Sequence, residues 1–72
     1  MTIERHKFDS SNIMETEYDT ITNTLRVLFK EGKIYEYYGV PQSVMNNLIN
    51  AESAGKFFHK NIRFSFEYVK LK

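Results

Sequence analysis

The residues best suited to chemistry are four side chains in the last third of the chain. Lys56, Lys60 and Arg63 follow one another at spacings of four and three residues, and His59 lies between them. On a helix, these spacings would place the three cations in one stripe with His59 beside it. Such a stripe can bind the phosphates of nucleic acids. The same pattern is typical of the solvated face of a small amphipathic helix, so both interpretations stay open.

Aromatic residues near these cations bear on that choice. Phe57 lies in the same predicted turn as the lysines, and Tyr38 precedes the predicted helices. Rings beside cations suit single-stranded RNA or DNA, where each stacked base contributes about 1–3 kcal/mol. Tyr35 and Tyr37 form a Tyr-x-Tyr pair in GKIYEYYGVP, 32–41. The pair either packs in the core or presents its rings to a ligand.

Catalytic and metal chemistry find little support in the sequence. The two histidines, His6 and His59, lack the spacing of metal ligands, none of the five serines lies in a nucleophile motif, and no glycine-rich phosphate loop is present. The absence of cysteine excludes disulfides, thiolate zinc sites and thiol catalysis. We therefore predict no catalytic residue, no metal and no cofactor. A metal-independent ribonuclease using His59 beside Lys60 and Arg63 is a minor alternative.

The composition predicts one small domain, residues 1–72. A chain this short buries a small core, so its six Phe and five Tyr must supply much of the packing. No apolar run reaches the roughly 20 residues of a membrane helix, and no signal peptide pattern begins the chain, which predicts a soluble, cytoplasmic protein without membrane contact.

The charge is unevenly distributed along the chain. Residues 1–36 carry five Lys/Arg and seven Asp/Glu, net −2, whereas residues 37–72 carry five and two, net +3. This polarity favours one surface directed at an anion.

Three strands are predicted ahead of the cations. Segments 12–18, 24–30 and 33–40 alternate apolar and polar residues. A three-residue loop at 30–32, closed by Gly32 in the left-handed region, would pair Arg26 with Glu36 and keep both faces consistent. A two-residue loop at 31–32 would mix charges into both faces. The preferred register further pairs Phe29 with Lys33, Leu28 with Ile34, Val27 with Tyr35 and Leu25 with Tyr37.

This register predicts where the tyrosine pair lies. The rings of Tyr35 and Tyr37 would pack under the helices, and their hydroxyls would line a rim shared with Arg63 and Lys60.

Two short helices are predicted next. Pro41 suits the first turn of a helix of about ten residues that ends near 51–53, and Ser53 caps a second helix over 54–63. Phe58 and Ile62 of that helix would face the sheet. Residues 1–9 form a flexible arm or an edge strand, and 64–72 form a fourth strand or a tail. The predicted fold is α+β: an antiparallel three-stranded β-meander followed by two short helices and an optional C-terminal strand.

Six sequence features recur in order and carry a family resemblance. They are SSNI at 10–13, Tyr18-Asp19 before a polar turn, L-x-V-x-F at 25–29, G-x-x-Y-x-Y-x-x-V-P at 32–41, S-x-G-x-x-F at 53–58 and Ile62-Arg63. Together, over about residues 10–65, they resemble the KTSC domain. That family is named for a copy at the C-terminus of some lysyl-tRNA synthetases and also occurs as small stand-alone proteins in bacteria and phages. His59 and Gln42-Ser43 depart from the family pattern.

The resemblance implies no assigned activity, and its synthetase association suggests RNA binding by analogy. It implies a structural role for Gly55, as a tight junction between the helices. Arg63 is the least structural of the marked positions because a guanidinium is costly to bury unpaired. We expect Glu36, Glu52 or a phosphate to hold it. The marked positions are Tyr18, Tyr35, Tyr37, Pro41, Ser53, Gly55, Phe58 and Arg63.

These observations predict a small non-enzymatic binding module. Its leading ligand is RNA, either tRNA or single-stranded, or single-stranded nucleic acid generally. The alternative is a protein–protein interaction module, a bacterial or phage accessory protein that pairs an edge or C-terminal strand with a protein partner or with itself as a dimer. The candidate nucleic-acid-binding residues are Lys56, His59, Lys60, Arg63, Tyr35 and Tyr37.

Overall fold

The computed structural model of the protein describes residues 2–72. Met1 of the predicted N-terminal arm or strand lies outside the described residues. Five strands form one antiparallel sheet whose spatial order follows the chain order. They are β1 (Ile3–Lys7), β2 (Ile13–Asp19), β3 (Thr24–Phe29), β4 (Ile34–Tyr37) and β5 (Tyr68–Lys70). Two helices, α1 (Gln42–Asn50) and α2 (Ala54–Asn61), separate β4 from β5 in sequence.

The α+β class and the antiparallel meander are confirmed, but the sheet has more strands than the predicted three with an optional fourth. The N-terminal segment forms an edge strand, β1, which pairs with β2. Its sequence, IERHK, has no apolar alternation. β1 pairs with β2 through its backbone and its charges instead, with Arg5 opposite Glu17. The C-terminal segment supplies β5, which pairs with β4.

The β3–β4 hairpin has the predicted register. Arg26 lies opposite Glu36. The Phe29 N–H donates to the Lys33 carbonyl at 2.9 Å, and the Gly32 N–H donates to the Phe29 carbonyl at 3.0 Å. Gly32 has a φ of 93°, which favours glycine because it carries no Cβ. The other pairs are Leu25–Tyr37, Val27–Tyr35 and Leu28–Ile34.

The two helices begin near their predicted starts. Pro41 is the N-cap of α1 rather than a residue of its first turn. Ser53 caps α2 as predicted, because its hydroxyl accepts from the Lys56 N–H at 3.3 Å. However, α2 ends at Asn61, two residues before the predicted end. The N–H groups of Ile62 and Arg63 both donate to the Phe58 carbonyl at 2.9 Å, and the chain turns there.

The core lies between one face of the sheet and the two helices. Alternation along β2, β3 and β4 directs every second side chain to this covered face. Phe58 and Ile62 are buried against it, as predicted. The core residues are Ile13, Tyr18, Leu25, Val27, Tyr37, Val40, Met45, Leu48, Phe58 and Ile62.

Gly55 does not form a junction between the helices, and that interpretation is wrong. A Cβ built on Gly55 would meet Asn12 Nδ2 and Ser10 Oγ at 3.6 Å, which is ordinary van der Waals contact. Ser10 Oγ in turn accepts from the N–H groups of Asn12 and Ile13. Gly55 therefore lies against the turn that precedes β2, not against α1.

Candidate functional site

A cleft of about 670 Å³ opens between the sheet and the C-terminal end of α2. Its volume falls within the roughly 300–1,000 Å³ typical of ligand pockets. The charged and titratable side chains that line it are Lys30, Glu31, Lys33, His59 and Arg63. Its aromatic walls come from Phe29, Tyr35, Tyr37, Phe58, Phe64 and Tyr68.

The aromatic rings are positioned by strand alternation and strand pairing. Tyr35 and Tyr37 are two residues apart on β4 and share the covered face, with their ring centroids 6.4 Å apart. Tyr68 lies opposite Tyr37 across the β4–β5 pair, and these two rings are 5.4 Å apart. Phe58 of α2 meets Tyr37 edge-on at 5.3 Å. Tyr37 is thereby packed from three sides and is only 2% exposed.

Arg63, with His59 beside it, forms one side of the cleft. Arg63 Nη1 lies 3.3 Å from His59 Nδ1, and its guanidinium carbon lies 5.2 Å from the centre of the Phe64 ring. Phe64 is 79% exposed, so one flat aromatic surface is open to solvent beside the guanidinium.

Neither carboxylate that we expected to hold Arg63 does so. Glu36 instead accepts from Arg26 Nη2 at 2.8 Å and from the Tyr38 hydroxyl at 2.8 Å. Among residues 2–72, no salt bridge involves Arg63 or Glu52. The guanidinium therefore faces the cleft without a neutralising partner in the described part of the chain.

The cleft gathers four of the six predicted residues: Tyr35, Tyr37, His59 and Arg63. Lys56 and Lys60 are exposed on α2 outside its lining. The helix on which the single stripe was predicted ends at Asn61, so Arg63 follows it in a turn and lines the cleft, whereas Lys56 and Lys60 lie on α2 outside the lining. For the same reason, the predicted rim contains Arg63 but not Lys60. Tyr38 is directed away from the cleft, since its hydroxyl binds Glu36.

Several cleft residues were missed by sequence reasoning. Lys33 follows the β3–β4 loop, and its Nζ lies 3.6 Å from a carboxylate oxygen of Glu31. Phe64 and Tyr68 belong to an alternating segment that indicated a strand rather than a site. The approach of Tyr68 to Tyr37 depends on β5 closing against β4, which no local pattern indicates.

Burial controls the protonation of the central ring. Desolvation, with a smaller contribution from the nearby Tyr68, raises the pKa of Tyr37 to about 12, although Arg63 acts in the opposite direction. The Tyr37 hydroxyl is neutral near pH 7, like an ordinary tyrosine, and the raised pKa extends this neutral range to more alkaline pH.

Within residues 2–72, no cluster of three or more His, Cys, Asp or Glu side chains could hold a metal ion. No helix of the same range has the length and apolar character needed to cross a membrane.

Comparison with known proteins gives consistent matches. A family model described as the KTSC domain matches residues 9–66. The crystal structure of a KTSC domain protein from Yersinia pestis superimposes with a TM-score of 0.88 and 32% identity, covering 99% of this chain and 100% of that one.

Relatives of known sequence fall into two sizes. The lysine–tRNA ligase of Trichormus variabilis is 43% identical over 65 residues, which is 90% of this chain but 12% of the ligase. A protein of Tsukamurella paurometabola is 36% identical over 63 residues, which is 88% of this chain and 94% of that protein. This chain thus matches a small segment of the ligases and nearly all of the smaller relative.

Proposed function

The chain belongs to the KTSC domain family, and from this premise we propose that it is a small non-enzymatic module that binds RNA, or single-stranded nucleic acid generally, in the cleft beside α2. One observation carries the proposal: exposed aromatic surface lies next to an arginine that has no carboxylate partner among the described residues. Nucleic-acid strands offer the two groups that suit this arrangement, flat bases and phosphates.

The bases would stack on the exposed rings of the cleft. Phe64 and Tyr68 are the candidates, being 79% and 53% exposed. Tyr37 is buried and packs against Tyr68, so it would support the wall rather than stack on a base. Aromatic stacking tolerates any base, so we expect weak sequence preference.

The phosphates would lie near Arg63. A guanidinium binds phosphate oxygens through paired N–H groups, and its neighbour His59 can donate a further hydrogen bond. Lys56 and Lys60, outside the cleft on α2, would extend the cationic path for a strand that continues past it. The printed name of the larger relatives, lysine–tRNA ligase, supports an RNA ligand by analogy alone.

The cleft contains little acid–base machinery. Among the residues that line it, His59 is the sole histidine, and Glu31 is the sole carboxylate. We therefore propose binding rather than catalysis, in the cytoplasm as predicted from the sequence.

Fluorescence anisotropy with a short, labelled single-stranded RNA over a salt series tests the proposal. We expect Arg63→Glu, alone and with Lys60→Glu, to weaken binding to all sequences and to flatten the dependence of affinity on salt. Phe64→Ala should weaken binding by about 1–3 kcal/mol with little change in that dependence, because stacking releases no counterions.

Lys7→Glu is the matched control. Lys7 is an exposed cation on β1, the strand at the opposite edge of the sheet from β5, and it does not line the cleft, so its reversal should leave affinity nearly unchanged. Salt-independent binding by the wild type, or equal losses for Lys7→Glu and Arg63→Glu, would contradict the proposal. The labelled RNA should remain intact in EDTA, and cleavage would support the ribonuclease alternative instead.

A further inference from the structure

The two edges of the sheet are protected to different degrees. β1 carries Glu4, Arg5, His6 and Lys7 in five residues, and charges of this kind discourage pairing with another chain. All three residues of β5 are exposed. β5 and the residue after it carry three exposed apolar side chains, Tyr68 at 53%, Val69 at 48% and Leu71 at 47%, whereas β1 carries one, Ile3 at 44%.

The hydrogen bonds of β5 show which of its backbone groups are free. The Tyr38 N–H donates to the Glu67 carbonyl at 3.0 Å, and the Leu71 N–H donates to the Ile34 carbonyl at 2.8 Å. Backbone groups of alternate residues in an antiparallel strand point to opposite sides. Glu67, Val69 and Leu71 therefore direct their backbone groups to β4. The N–H and C=O groups of Tyr68 and Lys70 point outward from the edge.

We propose that two copies of this chain associate by pairing their β5 strands antiparallel about a two-fold axis at Val69. In this register, Tyr68 of each copy lies opposite Lys70 of the other. Because both residues present their backbone groups outward, the pairing forms four hydrogen bonds, two at each Tyr68–Lys70 pair. The two sheets join into one continuous sheet, and this inference does not depend on nucleic-acid binding.

The side chains fit the same register. Val69 meets Val69 of the second copy on the face that the helices leave uncovered, and cross-strand pairs of β-branched residues stabilise sheets. On the covered face, each Tyr68 ring lies beside the ammonium group of the opposite Lys70, a favourable cation–aromatic pair. Moving the axis by one residue to Lys70 would instead place two ammonium groups directly opposite each other, which opposes that register.

The strength of the association follows from its size. β5 has three residues, so the contact falls below the roughly 1,000 Å² of a stable interface. We expect a weak, concentration-dependent dimer with a dissociation constant on the order of 10 µM to 1 mM.

Sedimentation equilibrium over a concentration series tests the proposal. The wild type should associate, whereas Val69→Lys and Val69→Glu should each remain monomeric because like charges meet at the axis. An equimolar mixture of the two variants should associate again, because Lys then faces Glu. Ile21→Lys is the matched control: Ile21 is an apolar side chain, 67% exposed, in the turn between β2 and β3, and this variant should associate like the wild type.

A second measurement on the wild type avoids any effect of mutation on folding. The amide hydrogens of Tyr68 and Lys70 should exchange more slowly as protein concentration rises, while those of β1 should not change. A wild type that stays monomeric to about 1 mM, association of Val69→Lys equal to the wild type, or a mixture that stays monomeric would each overturn the proposal.

Discussion

Two buried hydroxyl groups of β2 differ in how well they are satisfied. The Tyr18 hydroxyl donates to the Val40 carbonyl at 2.6 Å and so ties the strand to the segment that enters α1. Burial raises the pKa of Tyr18, with Glu4 and Asp19 adding to the effect, so this donor keeps its proton at neutral pH. Thr16 is 0% exposed, and its Oγ1 has no hydrogen-bond partner among the described residues. A buried hydroxyl without a partner destabilises the folded state.

We expect Thr16→Val to raise the free energy of unfolding by about 1 kcal/mol, since it replaces the unsatisfied hydroxyl with a methyl group of similar size. In a domain of this length the midpoint of thermal unfolding should rise by about 4–8 °C. Thr24→Val is the control, because the Thr24 hydroxyl accepts from Thr22 at 2.9 Å and lies in the same sheet. Equal or lower stability of Thr16→Val in urea unfolding would show that the hydroxyl is satisfied.

The orientation of the tyrosine pair could be predicted at the scale of residues, but the complete site could not. Loop length fixes hairpin register, so Gly32 sufficed to place Tyr35 and Tyr37 on the covered face. The position of Phe64 in the cleft could not be predicted, because Phe64 joins the cleft through the turn after α2 and the end of α2 was predicted two residues too late. The partner of Arg63 was undecided for the same reason: its position depends on that turn.

At the scale of elements, the uncovered face of the sheet is organised by a row of ion pairs, which we call the ion-pair row: Arg5, Glu17, Arg26 and Glu36. One residue comes from each of β1 to β4, and each lies directly opposite the next. Arg5 Nε lies 3.0 Å from Glu17 Oε2, and Arg26 contacts Glu17 at 3.6 Å and Glu36 at 2.8 Å. Glu17 and Arg26 each lie between two residues of opposite charge, and Arg5 and Glu36 end the row.

The ion-pair row makes stability depend on pH. Hydrogen bonds from Arg26 and then from Tyr38 lower the pKa of Glu36 from its usual value. A carboxylate with a depressed pKa stabilises the fold above its unfolded pKa of about 4.3, and this contribution is lost as pH falls through the folded value. We expect Glu36→Gln to cost about 0.5–1 kcal/mol at pH 7 and almost nothing near pH 3, measured by urea unfolding across pH.

Glu52→Gln serves as the control for charge alone. Glu52 is exposed and forms no salt bridge within residues 2–72, so its removal should leave the pH profile unchanged. Some acid sensitivity should persist in both variants, because the N–H groups of Ile21 and Thr22 also lower the pKa of Asp19. A Glu36→Gln profile that runs parallel to the wild type from pH 3 to pH 7 would contradict this role.

Short strands at the edges were the elements that sequence predicted least well. β1 and β5 lack a long apolar alternation of their own. Each forms because a neighbouring strand provides backbone groups with which it can pair. β2, β3 and β4 could be predicted because each places apolar residues on the covered face. Partner-dependent pairing explains why the sequence predicts residues 1–9 only as an arm or an edge strand and residues 64–72 only as a fourth strand or a tail.

At the scale of the whole molecule, the charged residues of the two halves of the chain lie in different places. The ion-pair row uses acidic residues of the first half of the chain on the uncovered face. The cations that follow Tyr37 are concentrated instead on α2, on the turn after it and on β5 with the residues that follow it. Arg63 of the second half has no carboxylate partner among residues 2–72 and is therefore available to an anion.

Because β5 joins the sheet only after the two helices, we expect it to be locally less stable than the other strands. Strands β1 to β4 pair with neighbours a short turn away, whereas β5 must return across both helices to reach β4. At low protein concentration we expect the Leu71 amide, bonded to the Ile34 carbonyl at 2.8 Å, to exchange its hydrogen faster than the buried Val27 amide. Equal exchange rates at the two positions would show that β5 opens only when the whole protein unfolds.

The agreement between spatial order and chain order also decides how the protein can be attached to something else. β1 and β5 occupy opposite edges, about four strand spacings or roughly 19 Å apart. A fluorophore, surface tether or fused domain joined ahead of β1 is therefore attached at the edge of the sheet opposite β5. It leaves the aromatic cleft and the β5 edge unobstructed. One joined after β5 would cover both, so immobilised assays should use the N-terminal attachment.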